Sequence, residues 1–128
     1  MSVNLLAEAM NIIKTNSRVG KRMCTVKYSK LIVKVLELMK SNGYIEDFEV
    51  VEDGKGNKIK VMLSGRINNC GVITPRASVK RQEWYKTEEQ YLPGVGIGII
   101  IVSTPKGVIT NRQAQEMKLG GRLIGFVY

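Results

Sequence analysis

Residues Val95 to Val102 form a continuous run of apolar residues and glycines that closes on Ile99-Ile100-Ile101-Val102. The run is far shorter than the roughly 18–20 residues a membrane-spanning helix needs, and it predicts a buried strand. Ser103-Thr104-Pro105-Lys106-Gly107 follows at once. Five small or polar residues, among them a kinking proline and a permissive glycine, are therefore held at the exit of a rigid element. Two hydroxyls, one ammonium and nearby backbone amides point outward there, an inventory that suits ribose 2′-hydroxyls and phosphates. Taken alone, the pentapeptide is most simply a strand-ending turn. The rest of the chain decides between the two.

Twenty basic residues against eleven acidic ones give a net charge of +9. Such a field attracts polyanions, nucleic acid first and an anionic membrane surface second. The charge is segregated along the chain. Eight basic residues and only Glu37 lie between Lys14 and Lys40, whereas Ser41 to Asp53 carries five acids and no base. A solvated face mixes signs, so this asymmetry points to a binding surface. No apolar run is long enough to span a membrane and no signal-peptide pattern opens the chain, so a cytoplasmic protein is expected. The absence of histidine removes the commonest general base and metal ligand. Cys24 and Cys70 have no zinc-site spacing and read as two buried free thiols.

The pattern predicts an α+β chain of two small α/β lobes, residues 1–65 and 66–128. In the first, Asn4 is expected to cap a helix carrying Leu5, Leu6, Ala9, Ile12 and Ile13, which Thr15-Asn16-Ser17 ends. Met23 to Tyr28 alternates as a strand with Cys24, Val26 and Tyr28 on one face. Ser29 caps a second helix that buries Ile32, Val33, Leu36 and Met39 and stops at Asn42-Gly43. Tyr44 to Val51 and Lys58 to Ser64 flank Asp53-Gly54-Lys55-Gly56-Asn57 as a β-hairpin, with Ile59, Val61 and Leu63 inward. The order is α-β-α-β-β. The second lobe opens with a short strand, Val72 to Thr74, with Pro75 at its end. A charged helix around Trp84 and Tyr85, the long strand to Val102 and a brief return at Gly107 to Thr110 follow. Asn111 is expected to cap a helix to Leu119, and Gly120-Gly121 turns into a final strand, Leu123 to Tyr128.

Gly94, Gly96 and Gly98 invite a nucleotide-loop reading, but a dinucleotide fingerprint must follow a strand and open a helix. Here the glycines lead into a strand, and they read as places of close backbone approach. Glu46, Asp47 and Glu49 form the best carboxylate cluster, and a small metal-dependent enzyme acting on RNA or a nucleotide is the alternative they raise. Acid–base work needs burial to separate their pKa values, and the start of a hairpin strand is wet. Cys24 beside Lys21 and Arg22 lacks a histidine partner for thiol catalysis. No catalytic residue, metal ligand, cofactor or small-molecule substrate is expected.

The RNA reading gathers more residues. Ser103, Thr104, Lys106 and Gly107 form one platform, Asn111 and Arg112 follow at a helix start, and Gly120-Gly121-Arg122 adds a tight turn with a cation. Asn16, Ser17, Arg18, Lys21 and Arg22 make a basic loop in the first lobe, with Ser29 and Lys30 at a helix start. Aromatics are only 6% of the chain and mostly sit where a core wants them. A structured RNA read by shape, sugar and phosphate in a minor groove is therefore favoured over a stacked single strand.

These residues closely resemble the small-subunit ribosomal protein S-eight family, in its archaeal and eukaryotic form. The resemblance covers essentially the whole length. It rests on Leu5-Leu6-Ala7-Glu8-Ala9, Ser29-Lys30, Gly43-Tyr44-Ile45 and Gly65-Arg66. Cys70-Gly71-Val72-Ile73-Thr74-Pro75-Arg76 marks the archaeal and eukaryotic branch. Ser103 to Thr110, with Ala114 and Gly120-Gly121, is the most specific block. The resemblance implies a primary binder of the central domain of small-subunit rRNA that nucleates assembly of the platform beside neighbouring ribosomal proteins. It implies main contacts through Ser103 to Gly107, with further ones near Asn16 and Ser29-Lys30. Some family members also repress their own operon by binding a matching mRNA. The bacterial pattern has serine where this chain has Pro105 and glutamate where it has Arg122; Arg122 suits a phosphate contact instead.

Overall fold

Apolar residues at three- and four-residue spacing make the first helix of an α-β-α-β-β unit. The computed structural model describes residues 2–52, 54, 56–73, 77–94 and 96–128, with side chains from Leu5 onward. Helix α1, Ser2–Arg18, buries Leu6, Ala9, Met10 and Ile13. It starts ahead of Asn4, which lies within the first turn rather than at the cap, and Asn4's side chain is outside the described residues. It also overruns the stop expected at Thr15-Asn16-Ser17. The Asn16 amide donates back to the Ile12 carbonyl at 2.7 Å, a bond that keeps it helical. The actual stop is Gly20: its N–H bonds the Ser17 carbonyl, and the Lys21 N–H bonds that of Asn16.

Strand β1 is Met23–Lys27, helix α2 Lys30–Ser41, strand β2 Ile45–Glu52 and strand β3 Asn57–Leu63. The three strands form an antiparallel sheet of order β1-β3-β2. Cys24, Val26, Ile59, Val61 and Leu63 are buried, as are Ile32, Val35, Leu36 and Met39 of α2. Val33 is only half-buried; the helix is turned so that Val35 takes the inner position expected of it. Tyr28 lies past the end of β1 and is exposed. Asp53 and Lys55 of the hairpin loop fall outside the described residues. The segregated charge of the sequence is mixed by folding: Glu49 lies opposite Lys60 in the ladder, and Lys40 reaches Asp47 at 3.0 Å.

The chain divides into two compact units, Met1–Gly71 and Val72–Tyr128. Cys70 is tied to the first by its thiol, which donates to the Met10 carbonyl. The second sheet contains β4 Cys70–Val72, β5 Ser78–Val79, β6 Ile99–Thr104, β7 Gly107–Thr110 and β8 Gly121–Val127. Its order is β4-β8-β6-β7, with β5 also pairing β8. The expected Thr74, Pro75 and Val95 features lie outside the described residues. Helix α3, Trp84–Tyr91, and helix α4, Asn111–Glu116, place Trp84 and Ala114 in a core with Ile73, Val79, Leu92, Ile100, Val102 and Leu123. The buried Trp84 indole keeps its N–H satisfied on the Leu119 carbonyl at 2.9 Å. Among the described residues no helix is long and apolar enough to cross a membrane.

Candidate nucleic-acid interface

The Ser103–Gly107 segment is the turn of the β6–β7 hairpin, with Thr104 paired to Gly107 and Pro105-Lys106 as its two-residue loop. Pro105 presets φ at the first loop position, and Gly107 supplies a φ of 116° that a β-carbon would disfavour. The two hydroxyls have different fates. Thr104 Oγ1 accepts the Lys106 N–H at 3.1 Å and donates to the Gly107 carbonyl at 2.9 Å, so it braces the loop. Ser103 is exposed, and among the described residues its hydroxyl makes no hydrogen bond. Lys106 is exposed at the tip.

Register gives Ser103 its neighbours. Ser103 pairs with Arg122 across β6–β8, and Arg122 pairs with Ser78 across β8–β5. Directly opposed residues share a face, so Ser103, Arg122 and Ser78 form one exposed polar row across three strands. Strand spacing makes the row about 10 Å wide. Ser78 was absent from the sequence-derived set, because only the pairing of a two-residue strand reveals its position. The row puts an uncommitted hydroxyl beside a guanidinium, with an ammonium one turn away.

Other residues of that set sit behind this row or away from it. Asn111 is 1% exposed. Its Oδ1 accepts the Ile100 N–H at 3.0 Å and its amide nitrogen donates to Glu88, so it cannot reach RNA. It is not the helix cap either. Thr110 caps α4 in a capping box with Gln113, and the helix ends at Glu116 rather than Leu119. Arg112 donates to the Gly96 carbonyl at 2.6 Å. Gly96 precedes β6 while Lys106 follows it, so Arg112 lies at the opposite end of that strand from the hairpin tip. Gly120 and Gly121 are there for close packing. A β-carbon on Gly120 would lie 2.3 Å from the Val79 carbonyl oxygen, and one on Gly121 2.4 Å from that of Ser103.

In the first unit, Arg18, Lys21 and Lys30 are exposed. Arg18 ends α1, and Lys21 follows the Gly20 turn, so Asn16, Ser17 and Arg18 are helix rather than loop. Asn16 spends its amide on the helix itself. Ser29 occupies the cap position of α2 without using its hydroxyl as a cap, and Lys30 is the first helical residue.

The carboxylate alternative does not assemble. Glu46 and Glu49 are exposed, and the Asp47 carboxylate is bonded by Lys40 and the Phe48 N–H, which hold its pKa below the usual range. Among the described residues no three His, Cys, Asp or Glu side chains converge to hold a metal. Both cysteines are free and buried, and burial pushes each thiol up to about 11, with the Lys14 charge opposing it slightly at Cys70. They are packing groups rather than nucleophiles.

The sequence profile of the family described as Ribosomal protein S8 matches residues 4–128. The chain is also 51% identical, over 124 residues, to the small ribosomal subunit protein uS8 of Methanococcoides burtonii. That alignment covers 96% of this chain and 95% of the relative. A match of this extent, on a chain that carries the family's Ser103–Gly107 block as a hairpin tip, shows that the chain belongs to the ribosomal protein S8 family, in its archaeal type.

Proposed function

We propose that this protein is a structural constituent of the small ribosomal subunit that binds a helix in the central domain of its rRNA and nucleates assembly of the platform there. The observation that carries this reading is the Ser103–Arg122–Ser78 row beside the Lys106 tip. A rigid sheet face with a hydroxyl on either side of a guanidinium suits a shallow minor groove, where 2′-hydroxyls alternate with phosphates. Ser103 bonds sugar or base edge. Lys106 and Arg122, with Arg18, Lys21 and Lys30 of the first unit, neutralise phosphates. Thr104, Gly107, Asn111, Gly120 and Gly121 hold the row in shape. Neighbouring ribosomal proteins complete the surroundings, and an mRNA stem of the same shape would be bound by the same row, repressing translation of its own operon.

The test is binding to a short central-domain rRNA hairpin against a scrambled duplex of equal length, across a salt series. Tight binding at physiological salt with a large preference for the hairpin is expected. Equal, steeply salt-dependent binding to both would leave only a basic protein and overturn the reading. Ser103→Ala is expected to weaken hairpin binding by about 1–2 kcal/mol, since it removes one hydrogen bond from a desolvated contact. An unchanged Kd would remove Ser103 from the contact. Lys106→Ala should flatten the slope of log K against log salt by about one unit. An unaltered slope would place Lys106 off the phosphate.

A further inference from the structure

Three helices end in the same backbone motif, and one of them fills it with an unexpected residue. On α1 and α2 the residue in the left-handed region is Gly20 or Gly43, each with a φ of 80°. On α4 the same pair of bonds recurs, from the Lys118 N–H to the Gln115 carbonyl and from the Leu119 N–H to that of Ala114. Here the left-handed residue is Lys118, with a φ of 58°, the sole non-glycine at positive φ among the described residues. A β-carbon disfavours that conformation, and such outliers concentrate at functional positions.

Lys118 lines a cleft of about 560 Å³ with Arg81, Gln82, Trp84, Tyr85 and Gln115. None of these residues is acidic. Arg81 and Lys118 are exposed, and among the described residues neither is in an ion pair. Tyr85 is 66% exposed. An exposed aromatic beside two cations outside any ion pair is the combination that holds a single nucleotide, phosphate on the cations and base on the ring. The cleft adjoins the polar row. A β-carbon on Gly120 would lie 3.2 Å from the Arg81 nitrogen, so the backbone of Arg81 is packed against the turn that leads to Arg122.

We propose that this cleft is a second RNA contact, taking one unpaired nucleotide that flanks the helix held on the Ser103 row. Arg81 and Lys118 take its phosphate and Tyr85 its base. The proposal rests on the RNA reading above but uses none of the residues that carry it. The test compares two central-domain hairpins, one blunt and one with three unpaired nucleotides on each end. Wild type is expected to bind the extended hairpin at least threefold more tightly. Lys118→Gly should lose that gain, with a shallower salt slope, while raising the melting temperature through relief of the left-handed strain. Tyr85→Ala should lose the gain and Tyr85→Phe keep it. Equal wild-type binding to both hairpins would overturn the proposal, as would a Lys118→Gly protein that is more stable yet keeps the full gain. Ser103→Ala should weaken both hairpins alike. If wild type does not distinguish hairpin from scrambled duplex, the parent reading fails, while the end-dependence of the variants still reports on the cleft.

Discussion

Asn111→Ala is expected to lower the stability of the protein by about 2–4 kcal/mol while leaving the RNA affinity of the folded protein unchanged. Strand β7 covers the edge of β6 only from Ile101 to Thr104. At Ile100, 0% exposed, the sheet has run out of partner strand, and Asn111 Oδ1 accepts the N–H that a strand would have taken. Truncation leaves that amide buried and unsatisfied, and it also removes a donor from Glu88. Gln115, which donates to the same Glu88 oxygen at 2.7 Å, limits the second loss. Denaturant unfolding measures the first effect, and hairpin titration well below the midpoint measures the second. A stable variant with weakened RNA binding would return Asn111 to the interface.

Asn111 also shows how far a sequence can be read. An asparagine ahead of a short polar helix, close to a hydroxyl-rich turn, has the pattern of a cap and of an exposed RNA contact. Which of Thr110 and Asn111 takes the cap is decided by Gln113, whose side chain closes a box on Thr110. That choice turns Asn111 inward by one position. The periodic elements were legible because their burial follows directly from spacing: Cys24 and Val26 alternate, and Ile59, Val61 and Leu63 recur every second residue. The polar row was half legible. Ser103 and Arg122 stood out by chemistry, but their adjacency is a property of β6–β8 register, and Ser78 enters through a strand of only two residues. The cleft at Lys118 was illegible, since a positive φ at a lysine leaves no trace in composition or periodicity.

The paired glycines make the sharpest separation between a contact and a support. Gly121→Ala is expected to destabilise the protein by about 2–4 kcal/mol, the range for overpacking against atoms that cannot yield. The new β-carbon would lie 2.4 Å from the Ser103 carbonyl oxygen, 2.8 Å from Val102 Cγ2 and 3.1 Å from Thr104 Cγ2. The first of these is backbone, within the stretch where β6 pairs with β8, so relief requires the two strands to part beside the Ser103–Arg122 pair. RNA affinity should therefore fall with stability, by tenfold or more even where the variant is fully folded, because the hydroxyl and the guanidinium lose their fixed spacing. Thermal unfolding followed by hairpin titration at low temperature separates the two effects. If Gly121 were itself an RNA contact through its bare backbone, alanine would weaken binding and leave the melting temperature in place. A lowered melting temperature together with the affinity loss identifies it as the residue that lets β8 approach β6 closely enough to build the row.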